Sequence, residues 1–320
     1  MIKTIGVLTS GGDAPGMNAA VRAVTRTALS KGMKVLGIQR GYVGLLNEEF
    51  VELTENSVSD VIYKGGTFIY TARCKNFKDP EVVKEAVAIC KKHGLDGIVV
   101  IGGDGSFRGG ADLSKFGIPC VGIPGTIDND ISCTEYTVGY DTSVNTAIDM
   151  IDRLRDTSTS HQRVTVVEVM GRNAGYIAIN AGIACGASAI ITNEHPYDLD
   201  KICEKIKKSR ANGKSSFVVV VAEGVGHTEE IAKTIEEKTE IETRATILGH
   251  VQRGGTPTGR DRVIASQMGF YAVGLLEKGI GNRVVAMQNN KVVDFDIQEA
   301  LSMKKEFPMD LFEVAEAISI

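Results

Sequence analysis

Short runs of β-branched and aliphatic residues alternate with helix-like stretches along almost the whole chain. The runs are nearly continuous in hydrophobicity, as a parallel sheet covered by helices on both faces requires. The strand candidates are residues 2–8, 35–38, 97–101, 120–123, 164–169, 189–192, 217–222 and 283–287. The helix-like segments are residues 17–30, 80–93, 143–156, 199–212 and 262–277. This alternation predicts an α/β fold built from right-handed βαβ units.

Length, charge and cysteine content narrow the class of protein. A chain of 320 residues suffices for one large or two moderate domains. The formal charge of −4 gives no electrostatic footprint for nucleic acid. The six cysteines are dispersed without a CxxC pair, which favours reduced thiols over a disulfide or zinc framework. The longest apolar runs are strand-sized and no signal-peptide pattern opens the chain, so we expect a cytoplasmic protein without a membrane span.

Polar, glycine-rich sequences follow several of the predicted strands. In open α/β sheets, ligands bind outside the carboxyl ends of the strands, so these sequences occupy the expected position of an active site. They are Thr9-Ser10-Gly11-Gly12-Asp13, Gly102-Gly103-Asp104-Gly105-Ser106, the segment 124–130, Met170-Gly171-Arg172 and Glu223-Gly224.

The segment 102–106 is suited to nucleotide phosphates. Glycines let the backbone approach the ligand closely, and a helix beginning near Ser106 would offer free N–H groups. Asp104 would repel phosphate directly, but it would bind phosphate through Mg²⁺, which prefers oxygen ligands. The alternative is a structural turn in which Asp104 caps the helix.

The segment 124–130 carries two carboxylates, Asp128 and Asp130, with no lysine or arginine beside them. In phosphoryl transfer to an alcohol, one carboxylate accepts the hydroxyl proton while others organise metal or water. Thr126 would orient the acceptor through its hydroxyl. The alternative is a surface Asx-turn around Asn129.

Positive charge is also required, because two anionic substrates would have to meet. Arginine suits bidentate phosphate recognition and stabilises charge on a transferring group. Five arginines lie in turn-like settings or beside predicted strand ends: Arg73, Arg163, Arg172, Arg244 and Arg253. His250 is a further candidate contact.

Two common nucleotide motifs are incomplete. Gly213-Lys214-Ser215 supplies the end of a Walker A loop, but position 208 is Lys rather than Gly. Gly103-x-Gly105 begins a dinucleotide fingerprint, but position 108 is Arg. A nicotinamide-dependent enzyme is therefore the weaker hypothesis.

Taken together, these motifs closely resemble those of the bacterial ATP-dependent 6-phosphofructokinases, and the likeness runs from Met1 into the final helix. The segments that carry it are Gly6-Val7-Leu8-Thr9-Ser10-Gly11-Gly12-Asp13, Thr71-Ala72-Arg73, residues 101–106, residues 124–130, Val169-Met170-Gly171-Arg172 and Gly249-His250-Val251-Gln252-Arg253-Gly254-Gly255. GGDG alone is weak, since NAD kinases and diacylglycerol kinases have similar stretches.

The resemblance implies that Mg²⁺-bound ATP phosphorylates the 1-hydroxyl of fructose 6-phosphate. It implies Asp128 as the proton acceptor and Asp104 as the metal ligand. The implied catalytic set is Asp128, Thr126, Asp130, Arg73, Arg172 and Gly12. The implied ATP contacts are Gly12, Arg73, Cys74, Gly103, Asp104, Gly105 and Ser106. The implied sugar-phosphate contacts are Thr126, Ile127, Asp128, Arg163, Met170, Gly171, Arg172, Glu223, Arg244, His250, Val251, Gln252 and Arg253.

The family likeness also implies domains and assembly. The larger, ATP-binding domain would take residues 1–138 and 251–304, and the smaller one residues 139–250 and 305–320. A homotetramer is implied, in which Arg163 and Arg244 reach a neighbouring subunit's site. Pyrophosphate-dependent relatives typically carry Asp and Lys where this chain has Gly105 and Gly125, so both glycines favour ATP.

An effector site for ADP and phosphoenolpyruvate is implied less completely. Its matching positions are Arg22, Arg26, Arg155, Gly186, Ser188, Asn212, Lys214 and Ser216. Well-studied members carry Glu at the position of Ser188, a basic residue at that of Asn212 and His at that of Ser216. We therefore expect weakened or altered effector control.

Three alternatives share part of this pattern. A pyrophosphate-dependent enzyme would use the same scaffold. An NAD or lipid kinase does not account for residues 124–130 or 250–253. A non-catalytic sugar-binding protein has no need of a metal-suited aspartate together with a carboxylate pair.

Overall fold

In a computed structural model that describes residues 2–319, strands and helices alternate as the sequence pattern predicts. The strands are β1 (Thr4–Ser10), β2 (Lys34–Ile38), β3 (Phe50–Glu52), β4 (Gly97–Gly102), β5 (Cys120–Pro124), β6 (Val164–Val169), β7 (Ala189–Ile191), β8 (Phe217–Ala222), β9 (Thr243–Ile247), β10 (Arg283–Gln288) and β11 (Lys291–Asp296). The helices are α1 (Met17–Ser30), α2 (Gly41–Leu46), α3 (Pro80–Lys92), α4 (Asp104–Lys115), α5 (Tyr140–His161), α6 (Tyr176–Ala184), α7 (Leu199–Ala211), α8 (Thr228–Thr239), α9 (Gly259–Glu277), α10 (Ile297–Ser302) and α11 (Asp310–Ile318). The predicted α/β class with mainly parallel sheets is confirmed.

The chain divides into two compact units, each assembled from separate segments. The larger unit consists of Met1–Ile127, Ile131–Thr142 and Arg253–Lys305. The smaller unit consists of Asp128–Asp130, Ser143–Gln252 and Glu306–Ile320. The predicted domain ranges place all of residues 124–130 in the larger domain, whereas these units assign Asp128–Asp130 to the smaller one. Residues 1 and 320 of the predicted ranges lie outside the described residues.

The larger unit contains a seven-stranded sheet in the order β11-β10-β5-β4-β1-β2-β3. Its five inner strands are parallel, and the edge strands β3 and β11 pair antiparallel. The register sets Ser10 beside Gly102 and Gly102 beside Pro124. The three polar sequences that follow β1, β4 and β5 therefore leave the sheet side by side.

The smaller unit contains a four-stranded, wholly parallel sheet in the order β7-β8-β6-β9. Val169 pairs with Ala222, and Thr165 pairs with Arg244. The residues that follow β6 and β8, from Met170 and from Glu223, therefore emerge next to each other. The apolar faces of β6, β7 and β8 pack with α7 and α8 around Phe217, a fully buried side chain.

Several predicted bounds require correction. The first strand begins at Thr4 rather than residue 2 and includes Thr9 and Ser10, which were expected to follow it. The helix expected near Ser106 begins at Asp104. The strands β3, β9 and β11 and the helices α2, α6, α8 and α10 were absent from the predicted elements, whereas the final helix, α11, was expected without bounds. The strands were missed because β3 is short, β9 carries two threonines and an arginine, and charged residues interrupt the apolar run of β11.

The buried carboxylate of Asp261 fixes the loop that leads into α5. Asp261 is fully buried and accepts hydrogen bonds from the Tyr136 hydroxyl at 2.7 Å, the Gly139 amide at 2.7 Å and the Thr142 amide at 2.9 Å. Burial raises the pKa of Asp261, and the hydrogen bonds from these neighbours oppose that rise. The carboxylate therefore ties α9 to the loop that leads from β5 into α5.

We expect the substitution Asp261→Asn to destabilise the protein by about 2–3 kcal/mol, because the new amide would direct N–H groups at existing donors. Thermal unfolding followed by circular dichroism should show a midpoint about 3–5 °C lower. The matched control, Asp60→Asn, changes an exposed residue and should leave the midpoint within about 2 °C. Equal midpoints for the two variants would contradict this account.

Among residues 2–319, no helix combines the length and apolarity that crossing a bilayer requires.

Candidate active site

The carboxyl end of β1 is fixed by hydroxyl groups. The Thr9 hydroxyl donates to the Tyr70 carbonyl at 2.8 Å, and the Thr71 hydroxyl donates to the Gly11 carbonyl at 3.0 Å. These bonds hold the backbone around residues 70–71 against the glycine-rich end of the strand. They also fix the start of the segment that carries Arg73, which is exposed, and Cys74, which is partly buried.

The first glycine of the segment 102–106 is required by packing. The Ser106 hydroxyl donates to the Ser10 carbonyl at 3.1 Å, so the start of α4 lies against the end of β1. A β-carbon added to Gly102 would lie 2.4 Å from that same carbonyl oxygen and 2.5 Å from the Ser106 hydroxyl. Only glycine permits so close an approach of strand end and helix start.

The first turn of α4 is open above its backbone. Gly103 occupies the N-cap position and Asp104 is the first helical residue, so the alternative in which Asp104 caps the helix is wrong. A β-carbon added to Gly105 would have no atom within 4 Å among the described residues. The helix start therefore offers backbone N–H groups, a positive dipole end and free space, the combination that binds anionic groups.

No group of three or more His, Cys, Asp or Glu side chains suited to a metal ion occurs among residues 2–319. Mg²⁺ does not require such a group, because it is usually bound by one or two carboxylates together with substrate phosphates and water. Asp104 supplies a partly buried carboxylate at the anion-binding start of α4. It is the residue here that would hold such an ion.

Arg253 lies in the larger unit, beside the end of β1. A β-carbon added to Gly12 would be 3.0 Å from Nη1 of Arg253, so the guanidinium rests on the Gly12 backbone. The resemblance assigns Gly12 to the nucleotide and Arg253 to the sugar phosphate. The structure brings these two residues together within one unit.

The backbone after β5 is fixed on both sides. The Gly125 amide donates to the Gly102 carbonyl at 3.0 Å, and the Thr126 carbonyl accepts from the Thr137 hydroxyl at 2.6 Å. A β-carbon at Gly125 would lie 3.0 Å from Ile101 Cγ2 and 3.2 Å from Met17 Cε, which leaves little space for a larger residue.

The two carboxylates of the segment 124–130 differ in exposure. Asp128 is 7% exposed and Asn129 4% exposed, so the segment is not a surface turn. Asn129 has a left-handed backbone with φ of 52°, which asparagine tolerates better than most residues. Asp130 is partly exposed and lies 3.7 Å from Nη1 of Arg172. The tight turn thus separates a buried carboxylate from one that is paired with an arginine.

Arg172 itself is held by its backbone. Its φ is 58°, and Gly171 before it has φ of 144° with no room for a β-carbon, which would lie 2.4 Å from the Ala174 carbonyl oxygen. The Glu223 carboxylate accepts hydrogen bonds from the backbone amides of both Gly171 and Arg172. Glu223 therefore shapes the loop that presents the exposed Arg172 side chain.

A glutamine anchors the start of the same loop. The Met170 amide donates to Gln252 Oε1 at 2.8 Å, and Gln252 Nε2 donates to the Ser143 hydroxyl at 3.4 Å. Gln252 is fully buried, whereas its neighbours His250 and Val251 are exposed. These residues belong to the short 3-10 helix Gly249–Arg253, in which the side chains of His250 and Val251 face solvent and that of Gln252 does not.

Arg163 and Arg244 share one carboxylate oxygen. Glu242 Oε1 lies 2.7 Å from Nη2 of Arg244 and 3.5 Å from Nη1 of Arg163. Arg163 also donates to the Thr157 hydroxyl at 3.2 Å, and its side chain is 18% exposed against 61% for Arg244. The two guanidinium groups thus lie together at the amino ends of β6 and β9, at the opposite end of these parallel strands from the residues that follow β6 and β8.

The eight predicted effector residues divide between the two units. Arg22 and Arg26 lie one turn apart on α1 in the larger unit, where burial and then the Arg26 charge lower the pKa of Arg22. The others lie in the smaller unit. There the Arg155 guanidinium donates to the Cys185 carbonyl, next to Gly186, and burial followed by the Arg155 charge lowers the pKa of Lys214. Asn212 is exposed, Ser188 is buried and Ser216 shares a hydrogen bond with Thr159 at 3.1 Å.

Two structural carboxylates were absent from the sequence prediction: Glu242, which binds two of the predicted arginines, and Asp261, which fixes the loop before α5. Each binds a residue that is distant along the chain: Glu242 binds Arg163, and Asp261 binds the amide of Gly139. Glu242 precedes Arg244 by two residues, which was the one available signal. Asp261 gave none, because a carboxylate near a helix start usually serves only as a cap.

Comparison with known proteins agrees with this arrangement. The profile of the family described as "Phosphofructokinase" matches residues 4–276. An ATP-dependent 6-phosphofructokinase of Clostridium botulinum is 56% identical over 318 residues, covering 99% of this chain and all of the relative. The phosphofructokinase of Saccharomyces cerevisiae superposes with a TM-score of 0.88 at 33% identity over 99% of this chain, which spans 46% of the yeast chain.

A pyrophosphate-dependent phosphofructokinase from Marinobacter aquaeolei superposes with a TM-score of 0.87 at 21% identity, covering 97% of this chain and 86% of the other. At that identity, the likeness concerns the fold alone. The profile match and the full-length relative decide the family. This chain belongs to the phosphofructokinase family.

Proposed function

We propose that this chain is an ATP-dependent 6-phosphofructokinase. It transfers the γ-phosphoryl group of ATP to the 1-hydroxyl of fructose 6-phosphate, giving fructose 1,6-bisphosphate and ADP. The observation that carries this is the register of β1, β4 and β5, which aligns the glycine-rich segments with the strand that leads into Asp128. The full-length relative of Clostridium botulinum bears the same activity in its name.

The donor side of the reaction is assigned to the larger unit. Backbone N–H groups at the start of α4 would bind phosphate oxygens of ATP, with Gly12 and Ser106 fixing the floor of the site. The open space above Gly105 leaves room for the nucleotide, which supports ATP over pyrophosphate. Arg73 would stabilise the charge on the transferring phosphoryl group.

Mg²⁺ is the proposed cofactor. When bound, it would neutralise negative charge on the phosphate oxygens during transfer. Asp104 would hold it, and the role of this side chain is to keep one carboxylate at a site that otherwise attracts anions. The small donor set fits an ion that retains several waters.

The acceptor side depends on the carboxylate segment. Asp128 would accept the proton of the 1-hydroxyl as the oxygen attacks the γ-phosphorus, and Thr126 would orient that hydroxyl. The ion pair of Asp130 with Arg172 would keep the arginine near the reacting groups. Arg163 and Arg244 would bind the 6-phosphate of a neighbouring subunit's substrate in a homotetramer.

A coupled assay tests the proposal directly. Fructose 1,6-bisphosphate formation is followed with ATP or pyrophosphate as donor, each with Mg²⁺ and with excess EDTA. We expect turnover only with ATP and Mg²⁺. Turnover with pyrophosphate alone would establish the alternative donor, and sugar binding without turnover under any condition would establish a binding protein.

The anchoring carboxylate yields a separate prediction. Glu223→Ala removes the acceptor for two backbone amides and should raise the KM for fructose 6-phosphate by about 10–100-fold. Glu223→Gln retains an oxygen acceptor without its charge and should lie between this variant and the wild type. Steady-state kinetics measures both, with the exposed Glu229→Ala as the control. An unchanged KM in Glu223→Ala would show that the loop holds Arg172 without Glu223.

Effector control is expected to be weak. The buried Ser188 and the exposed Asn212 supply neither a carboxylate for an effector-bound cation nor a positive charge for an effector anion. Saturation curves for fructose 6-phosphate are compared with and without phosphoenolpyruvate, and with and without ADP. We expect the half-saturating concentration to change by less than about threefold. A large inhibitory shift would contradict the prediction.

A cytoplasmic location stays a prediction.

A further inference from the structure

The smaller unit contains a cavity that the proposed reaction does not use. Its volume is about 360 Å³, and its walls come from β7, the segment 195–198, α7 and α11. That volume lies near the lower end of the range of about 300–1,000 Å³ found for small-molecule sites. Of the eight predicted effector residues, Ser188 alone lines it.

One wall of the cavity is aromatic. The His195 and Phe312 rings stack with centroids 4.6 Å apart and an interplanar angle of 21°, and Tyr197 lines the cavity beside them. The apolar lining is completed by Ile190, Ile202 and small side chains. This wall is suited to a flat ring, because aromatic groups prefer stacked or edge-on contacts with one another.

The polar part of the lining includes two lysines that form no close ion pair within the described part of the chain. Lys201 and Lys205 lie one turn apart on α7, and neither is ion-paired with a carboxylate of residues 2–319. Lys205 instead donates to the neutral Ser319 hydroxyl. Burial lowers the pKa of Lys205, with Glu316 opposing that effect and Lys214 adding to it. Glu316 acts on Lys205 without forming an ion pair with it, so an incoming anion would supply the direct contact that this partly buried ammonium lacks.

Ser188 is the second unsatisfied group. It is 4% exposed, and its hydroxyl oxygen has no hydrogen-bond partner among the described residues. Buried hydroxyl groups nearly always have a partner, so an unpartnered one at a cavity wall points to an absent ligand or solvent atom. The lining contains two carboxylates: Asp198 is engaged as the N-cap of α7, and the charge of Glu316 raises the pKa of Lys205.

We propose that this cavity is a binding site for a small aromatic carboxylate. The ring would pack on the wall formed by His195, Tyr197 and Phe312, and the carboxylate would accept from Lys201, Lys205 and Ser188. Such a site is separate from the phosphate chemistry of the proposed reaction, and its occupancy does not depend on that reaction being correct.

The test uses naphthalene-2-carboxylate as the probe and naphthalene-2-carboxamide as its uncharged counterpart of the same shape. Methyl-labelled full-length protein is titrated, and shifts are followed at Ala189, Ile190, Ile202 and Ala315, which line the cavity. Ile5 and Ile98, in the core of the larger unit, serve as reference methyl groups. We expect the carboxylate to shift the cavity methyls with a Kd of about 0.1–1 mM and the carboxamide to bind at least about tenfold more weakly.

Matched variants on α7 locate the charge contact. Lys205→Met and Lys201→Met should each raise the Kd for naphthalene-2-carboxylate by at least about threefold. Lys207→Met alters an exposed lysine of the same helix that does not line the cavity, and should bind like the wild type. Thermal unfolding midpoints close to that of the wild type, followed by circular dichroism, verify that all three variants are folded. The proposal is overturned if the cavity methyls do not shift, if the carboxamide binds as well as the carboxylate, or if Lys207→Met weakens binding as much as Lys205→Met.

Discussion

Replacing Asp128 with asparagine is expected to lower kcat by about 10²–10⁴-fold, because the amide cannot accept the proton of the sugar hydroxyl. The KM for fructose 6-phosphate should stay within about threefold, since the side chain keeps its size and the loss falls on the transition state. Steady-state kinetics with saturating ATP and Mg²⁺ measures both constants. Asp128 is 7% exposed, so the substitution also removes a buried charge.

The control for this variant is Asp149→Asn, which removes a carboxylate from the exposed face of α5 where it pairs with Arg153 at 3.1 Å. We expect its kcat to match the wild type, because exposed ion pairs contribute little. Thermal unfolding separates loss of chemistry from loss of fold. If Asp128→Asn retained more than about a tenth of wild-type kcat with normal sugar binding, Asp128 would not be the general base.

Donor choice should depend on the open space above α4. Gly105→Asp is expected to lower kcat/KM for ATP by at least about 100-fold, since a carboxylate beside the phosphates adds repulsion between like charges and fills the free volume. Folding should be unaffected, because a β-carbon at Gly105 meets no atom within 4 Å. The effect is measured as kcat/KM for ATP at saturating fructose 6-phosphate.

Two matched variants separate the causes of that loss. Gly105→Ala adds only the β-carbon and should cost less than about tenfold in kcat/KM while slightly stabilising the helix. Gly105→Asn has the size of aspartate without its charge and should lie between the other two. Equal losses in Gly105→Ala and Gly105→Asp would assign the effect to helix geometry rather than to charge and volume.

Sequence reasoning located the glycine-rich strand ends because its physical basis is local. Continuous hydrophobicity predicted the inner strands, and the positions directly after them follow from the rule for ligand sites in parallel sheets. The predicted helix 17–30 coincides with α1. Edge strands such as β11 were not predicted because charged residues interrupt a half-buried strand, as they do in the run Lys291–Asp296.

Contacts between distant residues could not be predicted in the same way. No local pattern shows that Glu223 would bind the amides of Gly171 and Arg172, because the two segments meet only through the pairing of β6 with β8. The contact of Arg253 with Gly12 likewise joins residues that are far apart along the chain. Such contacts depend on register and packing, which a single sequence does not display.

The interleaved composition of the two units has a consequence for any attempt to divide the protein. The chain passes from one unit to the other after Ile127, Asp130, Thr142, Gln252 and Lys305. A single backbone cleavage or truncation therefore cannot release either unit whole, since each resulting fragment would contain parts of both or lack a segment of one. Neither unit corresponds to a continuous stretch of gene, so expressing one alone would require joining segments that the natural chain keeps apart.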